Sequence, residues 1–136
     1  MQARDIMTKD PITAKPGATI REVAEILVEN KISGLPVVDE NGVMLGIVSE
    51  GDLMRKKIAP KAPEILSVLG AIIYYDGLKK YREAFRKLSA VTAQEIMTKD
   101  VISVQPEEDV SKVGQLMLDH HVKRVPVLNG RRLVGI

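Results

Sequence analysis

The first residues whose types and spacing could bind a ligand are Ser49 and Asp52, a hydroxyl and a carboxylate three residues apart. They follow the apolar run Val43–Val48, so they lie where a strand is expected to pass into a helix. A carboxylate at a helix start can accept hydrogen bonds from hydroxyl groups, and the serine hydroxyl can face the same ligand. The same spacing is also an ordinary helix cap, and taken alone it favours the cap.

A second candidate is the basic pair Lys123 and Arg124, which directly precedes the apolar run Val125–Leu128. An arginine presents a planar fork of N–H groups to an anion such as phosphate, whereas a lysine adds a point charge. The alternative interpretation is a solvated basic pair that flanks a strand.

Two adjacent histidines, His120 and His121, come nearest to a metal-binding pattern. Neighbouring residues on a helix point in different directions, and the sequence supplies no third ligand beside them. The chain has no cysteine, so a thiolate site is excluded. The sequence therefore predicts no metal.

The elements that position these residues come in two copies. Residues 6–10, Ile-Met-Thr-Lys-Asp, return as residues 96–100, and Pro36-Val37 returns as Pro126-Val127 at the same offset. A repeat of this kind indicates one structural unit that is used twice and packed against itself.

Each copy has the pattern strand, helix, strand, strand, helix, which predicts an α/β fold. The first copy spans residues 1–58, and its first helix begins at Thr19 with a capping box that pairs Thr19 with Glu22. The second copy spans residues 92–136 and is truncated before its last helix. The predicted strands are Pro11–Ala14, Leu35–Val38 and Val43–Val48 in the first copy, and Val101–Val104, Val125–Leu128 and Leu133–Ile136 in the second.

Between the copies, residues 59–91 have no counterpart in the repeat. Two apolar stretches with helical spacing, broken at Asp76-Gly77, predict an inserted helical hairpin. All aromatic residues of the chain lie in it, and Tyr81 and Phe85 are expected on its buried side or at an interface.

The composition fits a globular protein: 136 residues, 45% of them hydrophobic, with 20 basic and 18 acidic side chains. This ratio makes no basic stripe, so nucleic acid is an unlikely partner. No apolar run is long enough to span a bilayer, and the first residues have no apolar core of a signal peptide. We therefore expect a cytoplasmic protein that does not enter membranes.

The repeated motifs in their order resemble the CBS domain, named after cystathionine β-synthase. They are Asp5–Thr8 (DIMT), Gly34–Gly42 (GLPVVDENG) and Gly46–Leu53 (GIVSEGDL). Two copies resemble a tandem CBS pair, or Bateman module, and the resemblance covers all but the insert. It implies two pseudo-symmetric β-α-β-β-α repeats packed as one module, with two clefts at their interface that bind adenosine compounds.

The resemblance also implies the ligand contacts. In one cleft an aspartate and a serine of the first copy hold the ribose, while the second copy meets the base and the phosphates. The nucleotide-binding residues implied there are Ser49, Asp52, Ser103, Val122, Lys123 and Arg124. A second, weaker cleft would use Thr13, Ile32, Ser33 and Gly34, with no basic side chain, and its aspartate would lie beyond Ile136. We expect a less charged ligand there.

The function implied is a regulatory module that senses AMP, ADP or ATP and passes a conformational change to a partner or fused domain. No catalytic triad, carboxylate pair or phosphate-binding loop is present, so the sequence predicts no enzyme and no required cofactor. The alternatives are a dimerisation scaffold without a ligand, a sensor of S-adenosylmethionine or NAD, and a nucleic-acid regulator acting through the basic insert. Because the helices carry more apolar residues than one sheet can cover, we expect a homodimer; these residues include Ile26, Val28, Leu116 and Leu118.

Overall fold

A computed structural model describes residues 1–55 and 91–136, so the predicted hairpin lies outside the described residues except for Val91. The helices are α1 (Ala3–Ile6), α2 (Ile20–Glu29), α3 (Glu50–Arg55), α4 (Ala93–Ile96) and α5 (Val110–Asp119). The strands are β1 (Gly34–Val38), β2 (Met44–Ser49), β3 (Val127–Asn129) and β4 (Arg132–Gly135). The mixed α/β class is confirmed. No helix within the two described ranges is long and apolar enough to cross a bilayer.

Both long helices begin with a capping side chain, and the capping box of α2 is the one that the sequence predicts. In α2 the Thr19 hydroxyl accepts from the Glu22 amide at 3.1 Å, and the Glu22 carboxylate accepts from the Thr19 amide at 3.4 Å. In α5 the Asp109 carboxylate accepts from the hydroxyl and the amide of Ser111, and these hydrogen bonds lower the pKa of Asp109. The residues that α2 buries are apolar and recur at helical spacing; they are Ile20, Val23, Ala24 and Leu27.

Each copy folds its strands into an antiparallel hairpin, β1 with β2 and β3 with β4. The predicted first strands are shorter than expected, because Ala14 and Val104 each make a single parallel bridge, to Val37 and Val127.

The one-turn helices exchange between the copies. Helix α4 belongs to the second copy of the repeat, yet it buries Ala93 and Ile96 in the core of the first copy, where Ile96 is 1% exposed. Helix α1 of the first copy buries Ala3 in the core of the second copy, beside Val125 and Val127. Each copy therefore completes the core of the other.

Backbone hydrogen bonds fix this exchange at the free edge of each hairpin. Ile47 and Thr98 donate to each other's carbonyl oxygens at 3.0 and 2.8 Å. The equivalent pair in the other half, Thr8 and Ile136, does the same at 2.8 and 3.1 Å. The two halves are thus related by a pseudo-twofold axis and form one module.

Candidate functional site

The Asp52 carboxylate lies at the start of α3 and is nearly buried, with 8% of the residue exposed. Its Oδ2 accepts from the amide and the hydroxyl of Ser49 at 2.9 and 3.1 Å, and the Ser49 hydroxyl accepts from the Asp52 amide at 3.2 Å. Its Oδ1 accepts from the Thr98 hydroxyl at 2.9 Å. The pair therefore makes the helix cap that its spacing allows, and it also ties α3 to the repeated motif of the other copy.

These bonds give a prediction for Asp52 in the absence of any ligand. Asp52→Ala should lower the free energy of unfolding by about 1–2 kcal/mol, the usual cost of losing a capping side chain. Asp52→Asn should cost less, because an amide oxygen can still accept from Ser49. Urea denaturation of the three proteins measures both effects. Unchanged stability in Asp52→Ala would contradict the structural role of the carboxylate and would favour a role in ligand binding.

A cavity of about 750 Å³ lies between the two copies. The first copy supplies one wall from Pro11, Ile12 and the segment Ile32–Gly34 that follows α2. The second copy supplies the facing wall from strand residues such as Val127 and Ile136. A cavity of this size is typical of small-molecule sites, which combine apolar walls with a few polar groups.

The charged side chains that line the cavity are mostly basic. Lys31, Lys123 and Arg124 contribute three positive charges, and Asp10 contributes the one carboxylate found in the described part of the wall. Arg124 reaches the wall beside Ile32–Gly34 from the other copy, so a basic side chain lies next to this segment. The prediction that a less charged ligand binds at Ile32–Gly34 stays a prediction.

Arg124 extends across the pseudo-twofold axis and contacts the residue that is equivalent to it in the other copy. Positions 34 and 124 are equivalent, as are 33 and 123, and the guanidinium of Arg124 lies against Gly34. Its Nη2 donates to the hydroxyl of Ser33. Arg124 is half-buried, whereas Lys123 and Ser33 are exposed.

The structure groups the predicted residues differently from the sequence. Lys123 and Arg124, assigned to one cleft, line a single cavity together with Ile32, Ser33 and Gly34, which were assigned to the other. Within the described parts of the chain, the remaining predicted residues do not line this cavity; they are Thr13, Ser49, Asp52, Ser103 and Val122. Contact of any of these residues with a ligand stays a prediction.

Sequence reasoning missed several residues of the wall. Thr8 belongs to the repeated motif, but its place beside Ile136 follows from the exchange between copies. Lys31 lies two residues after the end of α2 in the left-handed region, with φ of 53°, and the equivalent residue His121 follows α5 in the same way with φ of 52°. Their positions in the sequence could have indicated these residues, because each directly precedes a segment that was predicted to contact a ligand.

The fold and the site define a class of protein, an α/β module of two copies with a cavity between them. The family model of the CBS domain matches residues 3–58 and 93–136, which is most of the chain. The protein belongs to the CBS domain family, and the two predicted repeats are confirmed.

Among relatives, the L-aspartate semialdehyde sulfurtransferase of Methanocaldococcus jannaschii is 31% identical over 134 residues. That match covers 98% of this chain and 21% of the sulfurtransferase. The homoserine O-acetyltransferase of Methanococcoides burtonii is 29% identical, and that match covers 97% of this chain and 21% of the acetyltransferase. This chain thus spans about a fifth of the length of these enzymes.

Solved structures of CBS proteins share the fold. The CBS domain of a membrane protein from Sphaerobacter thermophilus superposes with a TM-score of 0.74 at 30% identity, over 99% of this chain and 81% of that one. CBSX2 in complex with AMP gives 0.71 at 25% identity, over 98% and 87%. The CBS domain pair of protein MJ0100, in complex with 5'-methylthioadenosine and S-adenosyl-L-methionine, gives 0.67 at 30% identity, over 99% and 86%.

Proposed function

We propose that this protein is a regulatory module that binds AMP, ADP or ATP in the cavity between its copies. The observation that carries the proposal is the half-buried guanidinium of Arg124 in the wall of a cavity of about 750 Å³. The adenosine compounds in the solved structures of CBSX2 and of MJ0100 support the nucleoside part of the ligand.

The chemistry of the walls suits the parts of such a ligand. Pro11, Ile12 and Val125 offer apolar surface on which a purine ring can pack. Lys123 and Arg124 offer a point charge and a planar fork to phosphate oxygens. The Thr8 side chain supplies a hydroxyl that can bond to a ribose.

The mechanism is a population shift without chemistry on the ligand. A nucleotide that touches both copies favours the arrangement of the copies in which all its contacts form, and a partner or fused domain reads that arrangement. The catalytic activities of the longer relatives are not proposed for this chain.

We extend the proposal to a cytoplasmic homodimer. Leu118 on α5 is 72% exposed and is available to an interface, and a twofold dimer is the commonest closed assembly of soluble proteins. Light scattering would measure twice the chain mass of 15.0 kDa for the dimer, and the single mass would contradict it.

A thermal-shift panel tests the proposed ligand class. The compounds are AMP, ADP, ATP, adenosine, S-adenosylmethionine, 5'-methylthioadenosine and NAD. A ligand that binds the native state alone, at 100 times its Kd, stabilises it by about 2.7 kcal/mol. We expect an adenine nucleotide to raise Tm most. A panel without any shift would favour the scaffold without a ligand, and the largest shift with S-adenosylmethionine or NAD would favour those sensors.

A further inference from the structure

We infer that Gly34 determines the preference of the cavity for phosphate-bearing ligands, because the absence of a side chain at Gly34 leaves the space that the Arg124 guanidinium occupies. The inference rests on the proposed function and deepens it. Gly34 acts through Arg124 and is therefore a positioning residue.

The two copies differ where they meet at the axis. In a pair with two identical copies, the same side chain would approach the axis from both sides. Here position 34 carries no side chain and position 124 carries the longest basic one, so the two residues fit together. Gly34 is buried, and Arg124 extends over it to donate to Ser33 of the first copy.

The space around Gly34 is filled mainly by Arg124. A methyl group built on Gly34 would lie 2.8 Å from Nη1 and 3.2 Å from Cζ of Arg124. Its third neighbour is the backbone oxygen of Val48, at 3.2 Å. The tightest contact is thus with the end of a long flexible side chain, which can move far more easily than the strand.

The backbone of Gly34 has a conformation that residues other than glycine can also adopt. Among the described glycines, positive φ occurs at Gly42 and Gly130, and Gly34 is not one of them. Gly34→Ala therefore introduces no left-handed strain. The substitution should displace the guanidinium, and its contact with the Val48 oxygen requires a shift of only a few tenths of an ångström between β1 and β2.

The position of Arg124 affects which ligand the cavity prefers. Arg124 supplies one of the three positive charges of the wall, and it is the one with a planar fork that suits two phosphate oxygens. Displacing it removes a phosphate contact and leaves the apolar surface that suits the base. Gly34→Ala should therefore lower the ratio of ATP affinity to adenosine affinity.

The experiment is a titration calorimetry cycle on the full chain with Gly34→Ala, Arg124→Ala and the double variant, using ATP, adenosine and inorganic pyrophosphate. Gly34→Ala and Arg124→Ala should each weaken ATP by roughly 10-fold and adenosine by less than about threefold. The double variant should match Arg124→Ala, because Gly34 has no effect when its partner is gone. Gly114→Ala is the control, since a methyl group on Gly114 meets nothing within 4 Å.

The outcomes separate this inference from the proposed function. An unchanged ratio in Gly34→Ala overturns the inference alone, and so does a further loss of ATP affinity when Gly34→Ala is added to Arg124→Ala. If the wild type binds pyrophosphate but no adenosine compound, the proposed function fails, and the inference still stands if Gly34→Ala weakens pyrophosphate. A wild type that binds none of the three overturns both.

Discussion

Ile96→Ala should lower the free energy of unfolding by about 2–5 kcal/mol, the usual cost of truncating a buried isoleucine. Ile96 lies on α4 and is 1% exposed in the core of the first copy. The loss arises from apolar surface that returns to water and from the cavity that remains among the packed side chains. Urea denaturation at constant pH measures it.

The repeat supplies a matched control for this variant. Ile6 holds the same position in the other copy, yet it is 56% exposed. Ile6→Ala should therefore change the free energy of unfolding by no more than about 0.5 kcal/mol. Equal small losses at both positions would show that the α4 segment does not pack in the first core, which would contradict the exchange between copies.

Replacing both Lys123 and Arg124 with alanine should weaken ATP binding by roughly 10- to 100-fold, because each substitution removes a charge-assisted contact with the phosphates. Adenosine binding should weaken by less than about threefold, since adenosine has no phosphate. The remaining ATP binding should also depend less on salt, because two cations near the ligand are gone. Titration calorimetry at low and high NaCl measures both quantities.

The exposed pair Arg131, in the turn before β4, and Arg132, the first residue of β4, provides a control with the same change of charge. Each double alanine variant reduces the net charge from +2 to 0, because two positive charges are removed. Arg131→Ala/Arg132→Ala should leave ATP affinity within about threefold of the wild type. If ATP and adenosine weaken equally in the Lys123/Arg124 variant, those residues act on the fold or on the base.

Local patterns predicted the elements that local interactions determine. The capping box of Thr19 and Glu22 and the apolar spacing of α2 depend on residues within one or two turns, so the sequence contains them. The exchange of α1 and α4 depends on contacts between residues far apart in the chain. Nothing in a repeated Ile-Met-Thr motif says which copy it packs against, and a helix of four residues has too little periodicity to be recognised.

The same distinction applies to the site. The segments that flank the cavity, Ile32–Gly34 and Lys123–Arg124, were predicted from the resemblance to the CBS domain, whose motifs are short and continuous. The sequence could not place them in one wall, because alignment of the copies makes Gly34 and Arg124 equivalent without showing that they touch across the axis. For Asp52, the sequence could not distinguish a cap from a ligand contact, since both use a carboxylate at the start of a helix.

A crystal structure with bound AMP tests the central claim most directly, because it shows where an adenosine compound binds and what holds its phosphate. We expect AMP between the segment Ile32–Gly34 and the segment Lys123–Val125, with phosphate oxygens within hydrogen-bond distance of Arg124. A ligand bound elsewhere, with Arg124 still on Ser33 and the cavity between the copies without AMP, would contradict the account.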